Sequence, residues 1–179
     1  YGLVGSEMCI RDRDMSQNQS ELQSIYHQFE LPSNDSRIEQ LKEKGYRYVL
    51  VITEDWCGDA MMNNAILKHI AEGADLEVRA FYRDENTDLI DQYLTNGKSR
   101  SIPIYIFMNE NFEQKAVWGP RAHTVQKFVE QVRSEYLPDK NDPSFDDKQK
   151  EVHQTIHNRY ATDPSFWNEV YESILSRLI

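Results

Sequence analysis

Two neighbouring segments decide the fold: Tyr46-Arg-Tyr-Val-Leu-Val-Ile-Thr53 and, two residues later, Trp56-Cys57-Gly58-Asp59-Ala60. The first segment is rich in β-branched and aromatic residues, which predicts a buried strand. Apolar residues four apart from Gly58 to Glu72 predict a helix. Cys57 is therefore expected at the start of that helix, where free backbone N–H groups and the helix dipole stabilise a thiolate.

The segments around this junction alternate between strand and helix periods. A helix between the first two strands predicts a parallel pair, and the short link Asn109–Asn111 predicts an antiparallel hairpin. The pattern therefore indicates an α/β fold with a mixed sheet. We predict helices at Glu21–Phe29, from a capping box at Ser36 and Glu39 to Gly45, at Thr87–Asn96 and at Ala122–Leu137, and strands at Leu76–Arg83, Ile102–Met108 and Phe112–Trp118.

Three short matches occur in order on these elements: Trp56-Cys57-Gly58, Ser101-Ile102-Pro103 and Val117-Trp118-Gly119. With them the chain resembles the thioredoxin superfamily, and specifically a bacterial branch of small thioredoxin-like proteins. The resemblance covers roughly residues 46–137. It implies a thioredoxin-like three-layer fold, in which a mixed central sheet is flanked by helices, with a C-terminal helical hairpin added in this chain.

The resemblance also implies roles for individual residues. Cys57 matches the nucleophile, and Trp56 shields it. Ile102 and Pro103 look like the pair at the family's cis-proline, which lies against the cysteine and offers backbone groups to an extended substrate. Gly119 matches the glycine that completes this groove. The expected substrate-binding set is Trp56, Gly58, Asp59, Arg100, Ile102, Pro103, Gly119 and Arg121.

The chain departs from the family pattern at the second cysteine of the Cys-x-x-Cys motif, which is Ala60. A dithiol cycle within the chain is then unavailable. Asp59 places a negative charge beside the thiol, which is expected to raise its pKa. Val51 stands where thioredoxins bury a proton-accepting Asp.

What remains is a monothiol arrangement, in which Cys57 attacks a disulfide and an external thiol resolves the mixed disulfide. The expected partner is a disulfide-containing protein or a low-molecular-weight thiol, with no cofactor. Lys98, Arg100 and Arg121 would form a basic rim that attracts an anionic thiol, or would be ordinary surface charges. The alternative is a redox-inert binding or adaptor module on which Cys57 is a residual cysteine.

Charge and composition exclude other classes. The chain has 179 residues and a formal net charge of −10, which argues against nucleic acid as a partner. Its longest apolar runs, Val49–Ile52 and Ile102–Met108, are far shorter than the ~20 residues of a membrane span. Cys9 and Cys57 do not make a disulfide framework, which predicts a reducing, cytoplasmic compartment.

The chain divides into three parts by composition. Residues 1–14 follow no helix or strand period and resemble translated adaptor sequence, so we expect a non-native tail before Met15, with a native disordered tail as the alternative. Residues 15–137 are the expected thioredoxin-like domain, and residues 138–179 a helical extension.

The extension contains a short internal repeat, Asp142-Pro-Ser-Phe145 and Asp163-Pro-Ser-Phe166. In each copy, Asp is expected to cap a helix whose first residue is Pro. Its apolar stripe is wide and aromatic, which predicts a buried hairpin docked on the main domain, with partner binding as the alternative. His153 and His157 lie four apart but lack the Glu of a zinc protease and a third ligand. We therefore expect no metal site and solvent-exposed histidines.

Overall fold

The computed structural model describes residues 16–179, so the expectation of a non-native tail lies outside the described residues. Four strands form one sheet within this range, and helices connect and cover them. The strands are β1 (Tyr48–Thr53), β2 (Glu77–Tyr82), β3 (Ile104–Met108) and β4 (Gln114–Trp118). The helices are α1 (Ser16–Gln28), α2 (Ser36–Glu43), α3 (Gly58–Ala74), α4 (Thr87–Ile90), α5 (His123–Tyr136), α6 (Phe145–Thr162) and α7 (Pro164–Leu178).

The sheet is mixed, with strand order β2-β1-β3-β4. β1 runs parallel to β2 and antiparallel to β3, so that Val51 lies opposite Ala80 on one side and Tyr105 on the other. β4 pairs antiparallel with β3, with Trp118 opposite Tyr105. This arrangement confirms the predicted α/β fold with a mixed central sheet and flanking helices.

Successive residues of β1 point to opposite faces of the sheet, as the period of a strand requires. Val49 and Val51 pack in the larger core with most of the helices, whereas Ile52 packs in a smaller core with Ile90, the last residue of α4. Cys57 belongs to this smaller core. The thiol is therefore set into the packed interior at one end of the sheet.

Two helix ends differ from the prediction. α4 stops at Ile90 and not at Asn96. Asn96 and Gly97 instead adopt positive φ of 53° and 68° and form a turn that Thr95 and Ser99 close. α3 continues through Gly73, where a Cβ would lie 2.9 Å from a Leu31 methyl group. Gly73 is needed for close packing and does not end the helix; the left-handed residue at its end is Asp75.

Helix starts also differ. Asp35 and not Ser36 caps α2, because its carboxylate accepts a hydrogen bond from the backbone N–H of Arg37 at 3.0 Å. α6 begins at Phe145 with Ser144 before it, so the cap predicted at Asp142 lies two residues too early. The equivalent prediction for α7 is confirmed, since Asp163 caps the helix and Pro164 is its first residue.

The C-terminal helices pack on the rest of the chain. α7 contacts α3 and β4, and α6 contacts α1, α3 and α5. Trp167 and Tyr171 of α7 are 2% and 1% exposed, and the hydroxyl of Tyr46 donates to the Leu178 carbonyl at 3.0 Å. The aromatic stripe is therefore used for packing within the chain. None of the helices within residues 16–179 is long and apolar enough to cross a membrane.

Candidate functional site

Cys57 lies between β1 and α3, as the residue that precedes the first turn of the helix. It is 8% exposed, and its thiol donates to the Ile102 carbonyl at a sulfur–oxygen distance of 3.6 Å. The peptide bond between Ile102 and Pro103 is cis. The structure thus brings Cys57 and the Ile102–Pro103 pair together at the start of β3.

Burial dominates the acidity of this thiol. Desolvation, followed by the charge of the Asp59 carboxylate, raises the pKa of Cys57 to about 11. The backbone N–H groups of Ala60 and Asp59 and the charge of Arg121 lower the pKa, but by less. The helix N-terminus was expected to favour a thiolate, yet in this packed setting its effect is outweighed, and the thiol is neutral at pH 7.

Asp59 is tied into a partly buried network. Arg121 donates to both carboxylate oxygens, each at 2.7 Å, and the hydroxyl of Tyr160 donates to one of them, also at 2.7 Å. Burial, followed by the Asp59 charge, raises the pKa of Tyr160 well above its usual value, so the phenol remains a donor. Asp59 therefore joins the motif to the loop after β4 and to α6, a role that sequence reasoning missed.

Gly119 packs directly against Pro103. Its φ is +128°, and a Cβ at this position would lie 2.2 Å from the Pro103 carbonyl oxygen. Only glycine fits both the backbone conformation and this close approach. The third motif of the sequence therefore lies beside the second in space, as the resemblance implies.

Trp56 and Gly58 flank the thiol differently. The indole of Trp56 is 49% exposed, and the guanidinium of Arg83 lies 5.0 Å from its ring centroid. Gly58 is half-buried and faces α6, where a Cβ would lie 3.5 Å from Nδ1 of His157. One neighbour of the thiol is thus at the surface and the other lies beneath the C-terminal extension.

The three cations of the predicted basic rim do not meet at the cavity beside Cys57. The Arg100 guanidinium pairs with both carboxylate oxygens of Asp91, at 2.7 and 2.9 Å, and Lys98 is exposed in the turn after α4. Neither residue lines the cavity beside Cys57. Of the three predicted cations, only Arg121 lines this cavity, and its guanidinium is already bound to Asp59. Arg100 and Arg121 are thus paired with carboxylates on different elements, Asp91 after α4 and Asp59 in α3.

A cavity of about 600 Å³ opens beside Cys57, between the motif and the helices α5 and α6. Its volume is in the range of small-molecule sites. The wall residues come from five parts of the chain. They are Asn18 of α1, Trp56 to Asp59 of the motif, Arg121 of the loop after β4, Val129 and Arg133 of α5, and Lys150, His153, Gln154, Ile156, His157 and Tyr160 of α6.

The contribution of α6 was missed, although its spacing contains a signal. Lys150, His153, His157 and Tyr160 recur at intervals of three and four residues, which places them along one helical face. His157 is not solvent-exposed as predicted, because its Nε2 pairs with the Glu21 carboxylate of α1. No group of three or more His, Cys, Asp or Glu side chains able to hold a metal occurs within residues 16–179.

A family model described as thioredoxin matches residues 10–133. The chain belongs to this thioredoxin family. The match includes the Trp56-Cys57-Gly58 motif, the Ile102–Pro103 pair and Gly119, and it ends within α5 before the C-terminal extension. No curated protein matches this thioredoxin-family chain.

Two solved structures resemble this thioredoxin-family chain. One is a protein of unknown function from Pseudomonas aeruginosa, with 19% identity and a TM-score of 0.54, covering 82% of each chain. The other is an HIV epitope scaffold, with 14% identity and a TM-score of 0.59, covering 97% of this chain and 94% of the scaffold. At these identities the likeness concerns the fold alone.

Proposed function

We propose that this thioredoxin-family chain is a binding protein in which Cys57 is a packed, neutral thiol and not a redox nucleophile. One observation carries the proposal: the thiol is buried and donates a hydrogen bond to the Ile102 carbonyl. Ala60 supports it, since it leaves Cys57 without a resolving partner in the motif. The function is then the redox-inert binding module weighed above.

The expected loss of Cys57 reactivity follows from the fraction of the thiol that is ionised. A pKa of about 11 leaves roughly one thiolate in 10⁴ at pH 7, about 300-fold less than a free cysteine of pKa ~8.5. A more basic thiolate is a better nucleophile, so each Cys57 thiolate should react about ten times faster than the thiolate of a free cysteine. The net reactivity of Cys57 is therefore about 30-fold below that of a free cysteine, before its burial is counted.

Alkylation of Cys57 by iodoacetamide is expected to be at least ~30-fold slower at pH 7 than alkylation of a cysteine peptide. Between pH 8.5 and pH 10 the alkylation rate of Cys57 should still rise about tenfold per pH unit, because a thiol of raised pKa ionises only at higher pH. The rate of the cysteine peptide should level off over the same interval. The measurement uses a Cys9→Ser chain, so that Cys57 is the thiol followed. The same chain in urea is the control and should react like the peptide. A profile that levels off below pH 8 would contradict the proposal.

Monothiol exchange is the second candidate, because the sulfur lies 3.6 Å from the carbonyl oxygen of Ile102, the residue before Pro103, and accepts hydrogen bonds from the backbone N–H groups of Asp59 and Ala60. The Cys57 thiolate would attack one sulfur of a disulfide, form a mixed disulfide and release the other sulfur as a thiolate. An external thiol would then attack the mixed disulfide and regenerate Cys57. The partner would be a disulfide-containing protein or a low-molecular-weight thiol.

The two candidates differ in one mass measurement. Incubation of the Cys9→Ser chain with glutathione disulfide at pH 7 should leave its mass unchanged over the time in which a cysteine peptide forms the mixed disulfide. Rapid formation of an adduct that added thiol removes would favour monothiol exchange and overturn the binding proposal. A Cys9→Ser/Cys57→Ala chain is the control for adducts elsewhere.

A further inference from the structure

The cavity between the motif and the helices α5 and α6 has the walls of a ligand site. We infer that it binds a small organic anion, in which a carboxylate, sulfonate or phosphate group is joined to an apolar body. The inference rests on the proposed binding function and names its ligand class.

The charge of the walls points to an anion. Arg121, Arg133 and Lys150 line the cavity, whereas Asp59 is its one lining carboxylate among the described residues. The wall thus has a formal charge of +2 in a chain whose net charge is −10. A concave surface whose charge is opposite to that of the whole chain attracts ligands of the other sign.

Two of these cations remain available for a ligand. Asp59 is bound to Arg121 and Tyr160, so its charge is compensated locally. Within residues 16–179, the side chains of Arg133 and Lys150 form no ion pair, although many other basic residues do. Both face the same cavity, one from α5 and the other from α6. An anionic group between them would supply the partner that the fold does not.

The remaining walls suit an apolar body. The indole of Trp56 is 49% exposed and supplies a flat apolar surface, and Ile156 and Tyr160 add small apolar patches at 7% and 2% exposure. Ligand sites are mostly apolar, with a few polar groups that orient the ligand. A cavity of about 600 Å³ holds a molecule of one or two rings with its charged group. Nucleic acid needs an extended basic face, which a single cavity does not offer.

The test uses two probes of the same ring system and similar size, the anionic naphthalene-2-sulfonate and the neutral naphthalene-2-sulfonamide. Binding to the full chain is measured by titration calorimetry at low salt. The sulfonate is expected to bind at least tenfold more tightly than the sulfonamide, and more weakly as salt is raised. An Arg133→Glu/Lys150→Glu variant should lose at least tenfold in affinity for the sulfonate.

The matched control is Lys127→Glu/Lys148→Glu, which changes the net charge by the same amount on the same two helices, at exposed residues outside the cavity. It should change the affinity less than twofold. All four positions are exposed, and circular dichroism checks that both variants fold. Absence of sulfonate binding, equal binding of the two probes, or equal losses in the two variants would overturn the inference.

Failure of this inference and failure of the proposed function are distinguishable. The probes contain no thiol or disulfide, so their binding does not depend on the chemistry of Cys57. Fast alkylation of Cys57 together with selective sulfonate binding would reject the redox-inert function and keep the anion site. Slow alkylation of Cys57 without sulfonate binding would keep the redox-inert function and reject the anion site.

Discussion

Replacement of Trp167 by alanine is expected to lower the free energy of unfolding by about 4 kcal/mol, the cost of removing a large buried aromatic side chain. Trp167 is 2% exposed and lies in the core between α7 and the main domain. Its indole N–H also donates to the Tyr160 carbonyl at 2.8 Å, so the replacement leaves that buried acceptor without this donor.

Urea denaturation followed by circular dichroism measures this loss. Trp56→Ala is the matched control, because it removes the same side chain from a position that is half exposed, and it should change stability by less than ~0.5–1 kcal/mol. Trp167→Phe should fall between the two variants, since it keeps much of the apolar volume but not the donor. A loss below ~1 kcal/mol for Trp167→Ala would show that the C-terminal helices contribute little to the cooperative core.

Replacement of Arg121 by methionine is expected to lower the free energy of unfolding by about 3 kcal/mol, because the largely buried Asp59 carboxylate then has no cation beside it. The side chains of Arg121 and Asp59 are 19% and 12% exposed, and two hydrogen bonds join them. The Tyr160 hydroxyl remains as a donor to Asp59 but carries no charge. The same unfolding assay measures the loss.

Two further variants separate this pair from ordinary surface charge. Arg100→Met removes a cation with similar bidentate geometry to Asp91, but both partners are nearly half exposed, so its cost should stay below ~1 kcal/mol. Arg121→Met/Asp59→Asn removes both buried charges and should recover part of the lost stability. Equal losses for Arg100→Met and Arg121→Met would contradict a special role for the buried pair.

The secondary structure of this chain was largely predictable because its signals are local. The β-branched run before Thr53 and the apolar spacing after Gly58 placed Cys57 at a helix start. The Asp163–Pro164 start of α7 was equally readable. The errors at α4 and Gly73 arose where a turn or a close contact with another segment overrode the local pattern.

The amino-acid sequence by itself determined the order of the elements, the sheet type and the position of Cys57, since periodicity and capping act over a few residues. Only the tertiary structure decided the protonation state of Cys57 and the partners of Asp59. Arg121 and Tyr160 are 62 and 101 residues away from Asp59 along the chain, and no local pattern indicates that they meet. Desolvation and charge pairing depend on which distant segments pack together, and that packing also directs Arg133 and Lys150, in place of Lys98 and Arg100, to the cavity.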